Sequence, residues 1–175
     1  MSQPAPSADL RGEAVLADHL VRELLAARLV GVLATIEPDG SVHAISMWVA
    51  PSDDAIVLAT GSGSRKVRNL ERDARATLVL HDSRSGTDVC GASFRGRAEL
   101  VRGESAGPLV ELVHRRYVSA EGLELREVRE FLASDDVAIR FVPEAAVTWD
   151  ERPSAATRAL RAADAALPLA PTTPR

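Results

Sequence analysis

The chain has 175 residues, 46% of them hydrophobic, which suits one domain with a substantial core. Its formal net charge of −4 argues against a nucleic-acid partner, because binding to a phosphate backbone normally needs a basic excess. No apolar run approaches the roughly 20 residues that cross a bilayer, and residues 1–10 lack the pattern of a signal peptide, so we expect no membrane partner and a cytoplasmic location.

The N-terminal part of the chain predicts one helix followed by a meander of strands. Residues 1–12 contain several Ser, Pro and Ala residues and are predicted to form a flexible arm. Apolar residues at helical spacing then predict an amphipathic helix from Val15 to about Arg28. Three strands separated by turn-forming residues follow: Leu29–Ile36, Ser41–Ala50 and Ala55–Thr60.

The rest of the chain alternates between helical and strand patterns. Gly91 and Gly96 fall inside a long strand, where we expect bulges or close backbone contacts. In chain order the predicted elements are a helix at Arg65–Arg72, strands at Arg75–His81 and Val89–Val101, helices at Glu104–Val118 and Leu123–Ala133, and strands at Val137–Val142 and Ala145–Trp149, which Pro143 separates.

Short strands joined by tight turns, with helices between them, predict an antiparallel barrel in an α+β protein. We assign residues 13–152 to this domain. Residues 153–175 form an Ala- and Pro-rich C-terminal tail, with one predicted helical stretch at Ser154–Ala166.

The segment from Ala59 to Leu70 joins a strand end, a Gly/Ser loop and a helix start, and this arrangement favours anion binding. Free N–H groups at a helix N-terminus attract a phosphate, and Ser64, Arg65 and Lys66 add hydroxyl and charged donors at the same end. The alternative is an ordinary solvated helix start with a serine cap. The segment lacks the spacing of a Walker loop, which excludes an NTPase of that kind.

Several landmarks, in order and at matching spacing, resemble the flavin-binding split barrels, a family that includes pyridoxamine 5′-phosphate oxidase and the deazaflavin (coenzyme F420) oxidoreductases. The resemblance covers about Leu25 to Asp150. Its landmarks are Gly31–Thr35, Asp39-Gly40, Met47–Val49, Ala59-Thr60, Ser64–Lys66, Asn69-Leu70, Gly96 with Ala98-Glu99, and a closing strand ending at Trp149.

The resemblance implies an α+β antiparallel split β-barrel with flanking helices, which forms a homodimer with one cofactor in each of two clefts between the protomers. Arg65 and Lys66 would hold the cofactor phosphate, and Ser64 and Asn69 are further candidates for the same pocket. The remaining implied contacts are Ala59 and Thr60 beside the ring or ribityl chain, and Ile45, Ser46, Met47 and Trp48 along the tricyclic ring.

Departures from the pyridoxamine phosphate oxidase pattern favour the deazaflavin subgroup. Ile45 and Ala50 stand where that pattern has an Arg and a Lys, and its terminal Arg-x-His arrangement is absent, so vitamin B6 oxidation is not expected. The Lys66-x-x-Asn69-Leu70 pattern is similar to the F420-dependent subgroup. We therefore expect an F420-dependent oxidoreductase acting on a small organic molecule by hydride transfer, with FMN as the alternative cofactor.

Other functions remain open on the same fold. A non-catalytic carrier of the cofactor, a haem-binding protein with a His ligand, and a structural protein with an empty pocket would share these patterns. His43 and His81 have no carboxylate partner visible in the sequence, and the predicted helices place His19 and His114 against solvent or a partner. Cys90 is the only cysteine, which excludes an internal disulfide. No cluster of His, Asp and Glu residues has metal-ligand spacing, so we expect no metal.

Overall fold

The computed structural model describes residues 8–82 and 89–164. Residues 1–7 of the predicted arm and residues 165–175 of the predicted tail therefore lie outside the described residues. The strands are β1 (Ala8–Arg11), β2 (Val30–Ile36), β3 (Val42–Trp48), β4 (Ala50–Pro51), β5 (Ile56–Thr60), β6 (Arg75–Asp82), β7 (Cys90–Val101) and β8 (Val137–Asp150). The helices are α1 (Ala14–Ala17), α2 (His19–Ala26), α3 (Arg65–Arg72), α4 (Ala106–Tyr117), α5 (Ala120–Glu124), α6 (Arg126–Leu132) and α7 (Ala155–Asp164), with a 3₁₀ turn at Gly103–Ser105.

In the described part of the chain the strands form one sheet of eight, ordered β3-β2-β6-β7-β8-β5-β4, with β1 paired to β8. Every pairing in it is antiparallel. The two ends of this order, β3 and β4, are consecutive in the chain and are separated by Val49 alone. The Tyr117 hydroxyl accepts a hydrogen bond from the Val49 N–H at 3.1 Å and lies 3.0 Å from the Val49 carbonyl oxygen. At Val49 this side chain therefore takes the place of a neighbouring strand. The sheet is therefore curled on itself.

The predicted strand Ser41–Ala50 is thus two strands, β3 and β4, and the two predicted strands around Pro143 are one, β8. Pro143 lies opposite Gly96, at the register shift between Arg95 and Gly96. Proline cannot donate to a ladder, and the irregularity accommodates it inside a continuous strand. A Cβ at Gly96 would overlap the Val142 carbonyl, which confirms the predicted close backbone contact.

Two predicted helices are interrupted in the structure. The first breaks at Asp18, whose carboxylate accepts a hydrogen bond from Val21 N at 3.1 Å and caps α2. The predicted helix Leu123–Ala133 breaks at Leu125, where ψ is 132°, and its first part begins earlier, at Ala120. Residues 8–11 of the predicted arm form β1, because they find an unpaired edge on β8.

The core lies inside the curled sheet and under α1 and α2. Its largest fully buried side chains include Phe94, Phe141, Leu33, Leu78 and Ile139. A smaller apolar cluster packs α4 against β4, β5 and β8. This second cluster places the C-terminal half of α4 beside the end of β3.

Arg152 fastens the end of β8 to α2. Its guanidinium donates to Asp150 at 2.6 Å and to Glu23 at 2.5 Å. These hydrogen bonds hold the pKa values of both carboxyls below their usual range.

Candidate functional site

An apolar cavity of about 340 Å³ opens between the end of β3, the end of β5 and the helices α4 and α6. It is lined by Ser46, Met47, Trp48, Ala59, Thr60, Val113, Phe131, Leu132 and Asp135. We call it the apolar cavity. Five of the ten residues proposed for the site line it, and they come from the two strand segments that form its floor.

Trp48 gives the apolar cavity a flat wall. Its indole stacks on the ring of Tyr117, with ring centroids 4.9 Å apart and planes inclined by 3°. The Tyr117 hydroxyl donates to the Leu29 carbonyl at 2.5 Å, so both ends of the tyrosine are fixed. A partly buried tryptophan held in this way is a rigid surface on which a planar ligand can stack.

Lys66 connects the apolar cavity to the start of α3. Its ammonium donates to Thr60 Oγ1 at 2.8 Å, and the Thr60 and Ser64 hydroxyls are 3.4 Å apart. Partial burial lowers the pKa of Lys66, because it disfavours the charged ammonium, while the negative charge of Asp135 opposes the shift. A partly desolvated cation of this kind is well suited to bind an anionic group.

Ser64 precedes α3 but makes no side-chain cap to the helix backbone. Its hydroxyl faces Thr60 instead, so the first N–H groups of α3 keep their free hydrogen-bonding capacity. The alternative interpretation predicted that the Ser64 side chain caps this helix, and on that point it is wrong.

A second, open cavity of about 730 Å³ lies on the other side of α3, against the β2–β3 turn. We call it the arginine groove; it is lined by Glu37, Pro38, Asp39, Ser41, Val42, His43, Arg65, Arg68, Asn69 and Arg72. Arg65 is exposed and lies 3.6 Å from Glu37, too far for a hydrogen bond. Arg68 donates to the Gly63 carbonyl at 2.6 Å, and Arg72 donates to the Ile36 carbonyl.

The remaining predicted residues take different positions. Asn69 is buried and donates to Thr35 Oγ1 at 3.1 Å, so it joins α3 to β2 as well as bordering the arginine groove. Ile45 pairs with Leu33 on the sheet and is 39% exposed, outside the apolar cavity. Trp149, which ends the closing strand of the resemblance, packs over the Gly91 backbone and lines neither cavity.

Sequence reasoning missed the residues that helices contribute to the apolar cavity, above all Asp135. This carboxylate, which follows α6, lies 2.9 Å from Nε2 of the buried His114 on α4. The two residues are 21 positions apart, in different elements, and no local pattern marks them as partners.

One outer face of the sheet carries several exposed valines. A row of directly paired residues crosses five neighbouring strands and ends in the apolar cavity. The row comprises Val147, Ser93, Val79, Val32 and Ser46. Val32 and Val147 are each 39% exposed, and the neighbouring Val30 and Val42 are exposed still further.

A family model described as pyridoxamine 5′-phosphate oxidase matches residues 17–150. The chain belongs to this family. Its curled antiparallel sheet with flanking helices is the split-barrel fold, as the sequence predicted. A search of curated proteins finds no match.

Solved structures support the family assignment. A conserved hypothetical protein, Rv2991 from Mycobacterium tuberculosis, is 30% identical with a TM-score of 0.62, and the match covers 94% of both chains. An F420 reductase is 25% identical with a TM-score of 0.57, and the match covers 71% of this chain and 94% of that one. The haem storage protein HutZ from Vibrio cholerae shares the fold at 15% identity, with a TM-score of 0.59 over 74% of this chain and 92% of that one.

One solved relative is an F420 reductase, and the residues of the apolar cavity fit a flavin-type group. Its walls are apolar and partly aromatic, and its volume lies near the lower end of the range for small-molecule pockets. Lys66 supplies a partly buried cation at one end, and the second carboxylate oxygen of Asp135 has no hydrogen-bond partner among the described residues.

Within residues 8–82 and 89–164, no helix is long and apolar enough to span a membrane.

Proposed function

We propose that this protein is an oxidoreductase that binds a deazaflavin, coenzyme F420, in the apolar cavity and supports hydride transfer to or from a small organic molecule. FMN is the alternative cofactor. The observation that carries the proposal is Lys66, a partly buried cation between a ring-sized apolar cavity and the free start of α3. A phosphate at this point would gain both the ammonium and the α3 N–H groups as donors.

The bound cofactor would supply the hydride chemistry, and the chain would supply position and exclusion of water. The rigid Trp48–Tyr117 stack would hold the ring against one wall. Phe131, which is 74% exposed at the mouth of the cavity, would cover part of the ring or contact the substrate. Apolar lining strengthens the few polar contacts that remain inside.

A homodimer belongs to the same proposal, because the sheet face with the exposed valines runs directly into the apolar cavity through Ser46. Large exposed apolar faces mark association sites in soluble proteins. A second copy seated on Val32 and Val147 would bury this face and give each cavity its missing wall.

The preference for F420 rests on three observations. The chain is 25% identical to an F420 reductase. Ile45 and Ala50 provide no positive charge where pyridoxamine phosphate oxidases have an Arg and a Lys. The arginine groove, with Arg65 and Arg68 beside the start of α3, offers an open exit for the acidic tail of F420, which FMN lacks.

Spectroscopic titration of the purified protein with F420, FMN and haem in the same buffer tests the proposal. We expect the smallest dissociation constant for F420, followed by steady oxidation of reduced F420 when a quinone acceptor is added. Tighter binding of FMN would assign the protein to the flavin-using members. Tight binding without turnover would make it a carrier, and binding of haem alone would exclude the proposal.

A further inference from the structure

The apolar cavity contains one charged side chain among its described lining residues, Asp135. The turn after α6 fixes its backbone, because Asp135 N donates to the Leu132 carbonyl at 3.0 Å. His114 Nε2 then fixes one carboxylate oxygen at 2.9 Å. An ionised carboxylate only accepts hydrogen bonds, so Nε2 carries the hydrogen of this contact.

The second carboxylate oxygen, Oδ1, is left available, since the structure gives it no hydrogen-bond partner in residues 8–82 and 89–164. The side chain is 22% exposed, and it lines both the apolar cavity and a neighbouring cavity beside Arg102 and Asp136. A carboxylate oxygen on an apolar wall is costly unless a ligand donor pairs with it. The cavity therefore favours a ligand that presents an N–H or O–H group at this end.

Two hydroxyl groups share the cavity lining with Asp135. Thr60 Oγ1 accepts from Lys66 and donates to the Ser64 hydroxyl at 3.4 Å, whereas the Ser46 hydroxyl has no partner in the described residues. The polar lining thus comprises one strong acceptor, Asp135, and one free donor, Ser46. An imide, in which an N–H stands between two carbonyl groups, offers the complementary set.

We infer that Asp135, positioned by His114, accepts a hydrogen bond from the imide N–H of the cofactor ring and so determines which edge of the ring enters the cavity. The inference rests on the proposed function and deepens it. Flavins and deazaflavins share this imide edge, so Asp135 recognises the ring class and does not discriminate between the two cofactors. His114 is a positioning residue, because the carboxylate separates it from the ligand.

The test compares a ring ligand with its N3-methyl derivative, using FMN or F420, whichever the protein binds more tightly. Both members of a pair carry the same phosphate, so the ratio of their dissociation constants isolates the ring edge. This ratio of dissociation constants is also independent of the fraction of the protein that is folded. We expect the wild type to bind the N–H ring at least about tenfold more tightly, as for a hydrogen bond to a charged group.

Asp135→Ala should reduce this ratio to below about threefold, and Asp135→Asn, which keeps a neutral acceptor, should give an intermediate value. The matched control is Asp136→Ala, because this neighbouring carboxylate accepts from Ser62 N at 2.6 Å and does not line the apolar cavity. It should leave the ratio unchanged. His114→Leu should lower the ratio by less than Asp135→Ala does.

Equal binding of both rings by the wild type would overturn the assignment of Asp135 and leave the proposed function intact. A ratio that survives in Asp135→Ala would place the imide edge elsewhere and would also overturn it. Failure of the protein to bind FMN and F420 at all would remove the proposed function together with this inference.

Discussion

Replacing Lys66 by Ala should weaken cofactor binding more than any other single change at the start of α3. Lys66 is the partly buried cation, and its ammonium already donates to Thr60 at 2.8 Å. A hydrogen bond to a charged group contributes about 1.5 to 3 kcal/mol, which corresponds to a loss of about tenfold to 150-fold in affinity. Lys66→Met, which keeps the aliphatic stem and removes the charge, should lose about as much.

Arg65→Ala is the informative comparison. The Arg65 side chain is 63% exposed and shares its charge with Glu37 at 3.6 Å, and exposed ion pairs contribute about 1 kcal/mol or less. We expect a loss of less than about fivefold. A double variant in which both Arg65 and Lys66 are changed to Ala should therefore owe most of its effect to Lys66. Fluorescence titration with F420 measures the dissociation constants of the wild type and of the four variants, and circular dichroism checks that each variant is folded. An unchanged affinity in Lys66→Ala, or an equal loss in Arg65→Ala, would refute the assignment of Lys66 as the main phosphate ligand.

Three further outcomes follow from the fold. Gly96→Ala should lower the free energy of urea unfolding by about 1 to 3 kcal/mol, because its Cβ would overlap the β8 backbone, whereas Gly107→Ala, with nothing within 4 Å, should raise it by about 0.5 to 1 kcal/mol. Val32→Asp should convert the dimer into monomers, as measured by sedimentation. The control Glu111→Lys changes the charge at a remote, exposed position and should leave the dimer intact. A monomeric wild type would contradict the shared cavity. Arg152→Ala should destabilise the protein at pH 7, where Glu23 and Asp150 are ionised. Both carboxyls have lowered pKa values and stabilise the fold only while ionised, so the deficit should fade as the pH falls through these lowered values. Urea midpoints that differ by the same amount at pH 7 and in acid would contradict this.

From the local sequence alone, the loop and helix start that carry Ser64, Arg65 and Lys66 could be predicted. The resemblance to the split barrels placed Met47, Trp48, Thr60 and Lys66 at one cofactor site, and the structure brings them close together because short connections join their elements. Their side-chain contacts were not predictable. Nothing in the sequence shows that the Ser64 hydroxyl turns to Thr60 instead of the helix backbone.

Contacts between distant elements escaped the sequence because they depend on how helices pack against the sheet. The hydrogen bond between His114 and Asp135 requires α4 to lie beside the turn after α6. The strand β1 exists because Ala8 finds Thr148 as a partner, 140 residues further along the chain. Neither contact leaves a periodic pattern or a characteristic spacing.

The position of β8 in the sheet has a consequence for biosynthesis. This strand is the last of the described sheet to leave the ribosome, yet it lies between β7 and β5. Before residue 150 emerges, the nascent chain can hold only two separate pieces, β3-β2-β6-β7 and β5-β4, and each has an open hydrogen-bonding edge. Such edges invite pairing with other chains. Emerging protomers would therefore depend on rapid completion of this strand, or on a chaperone, to avoid aggregation during translation.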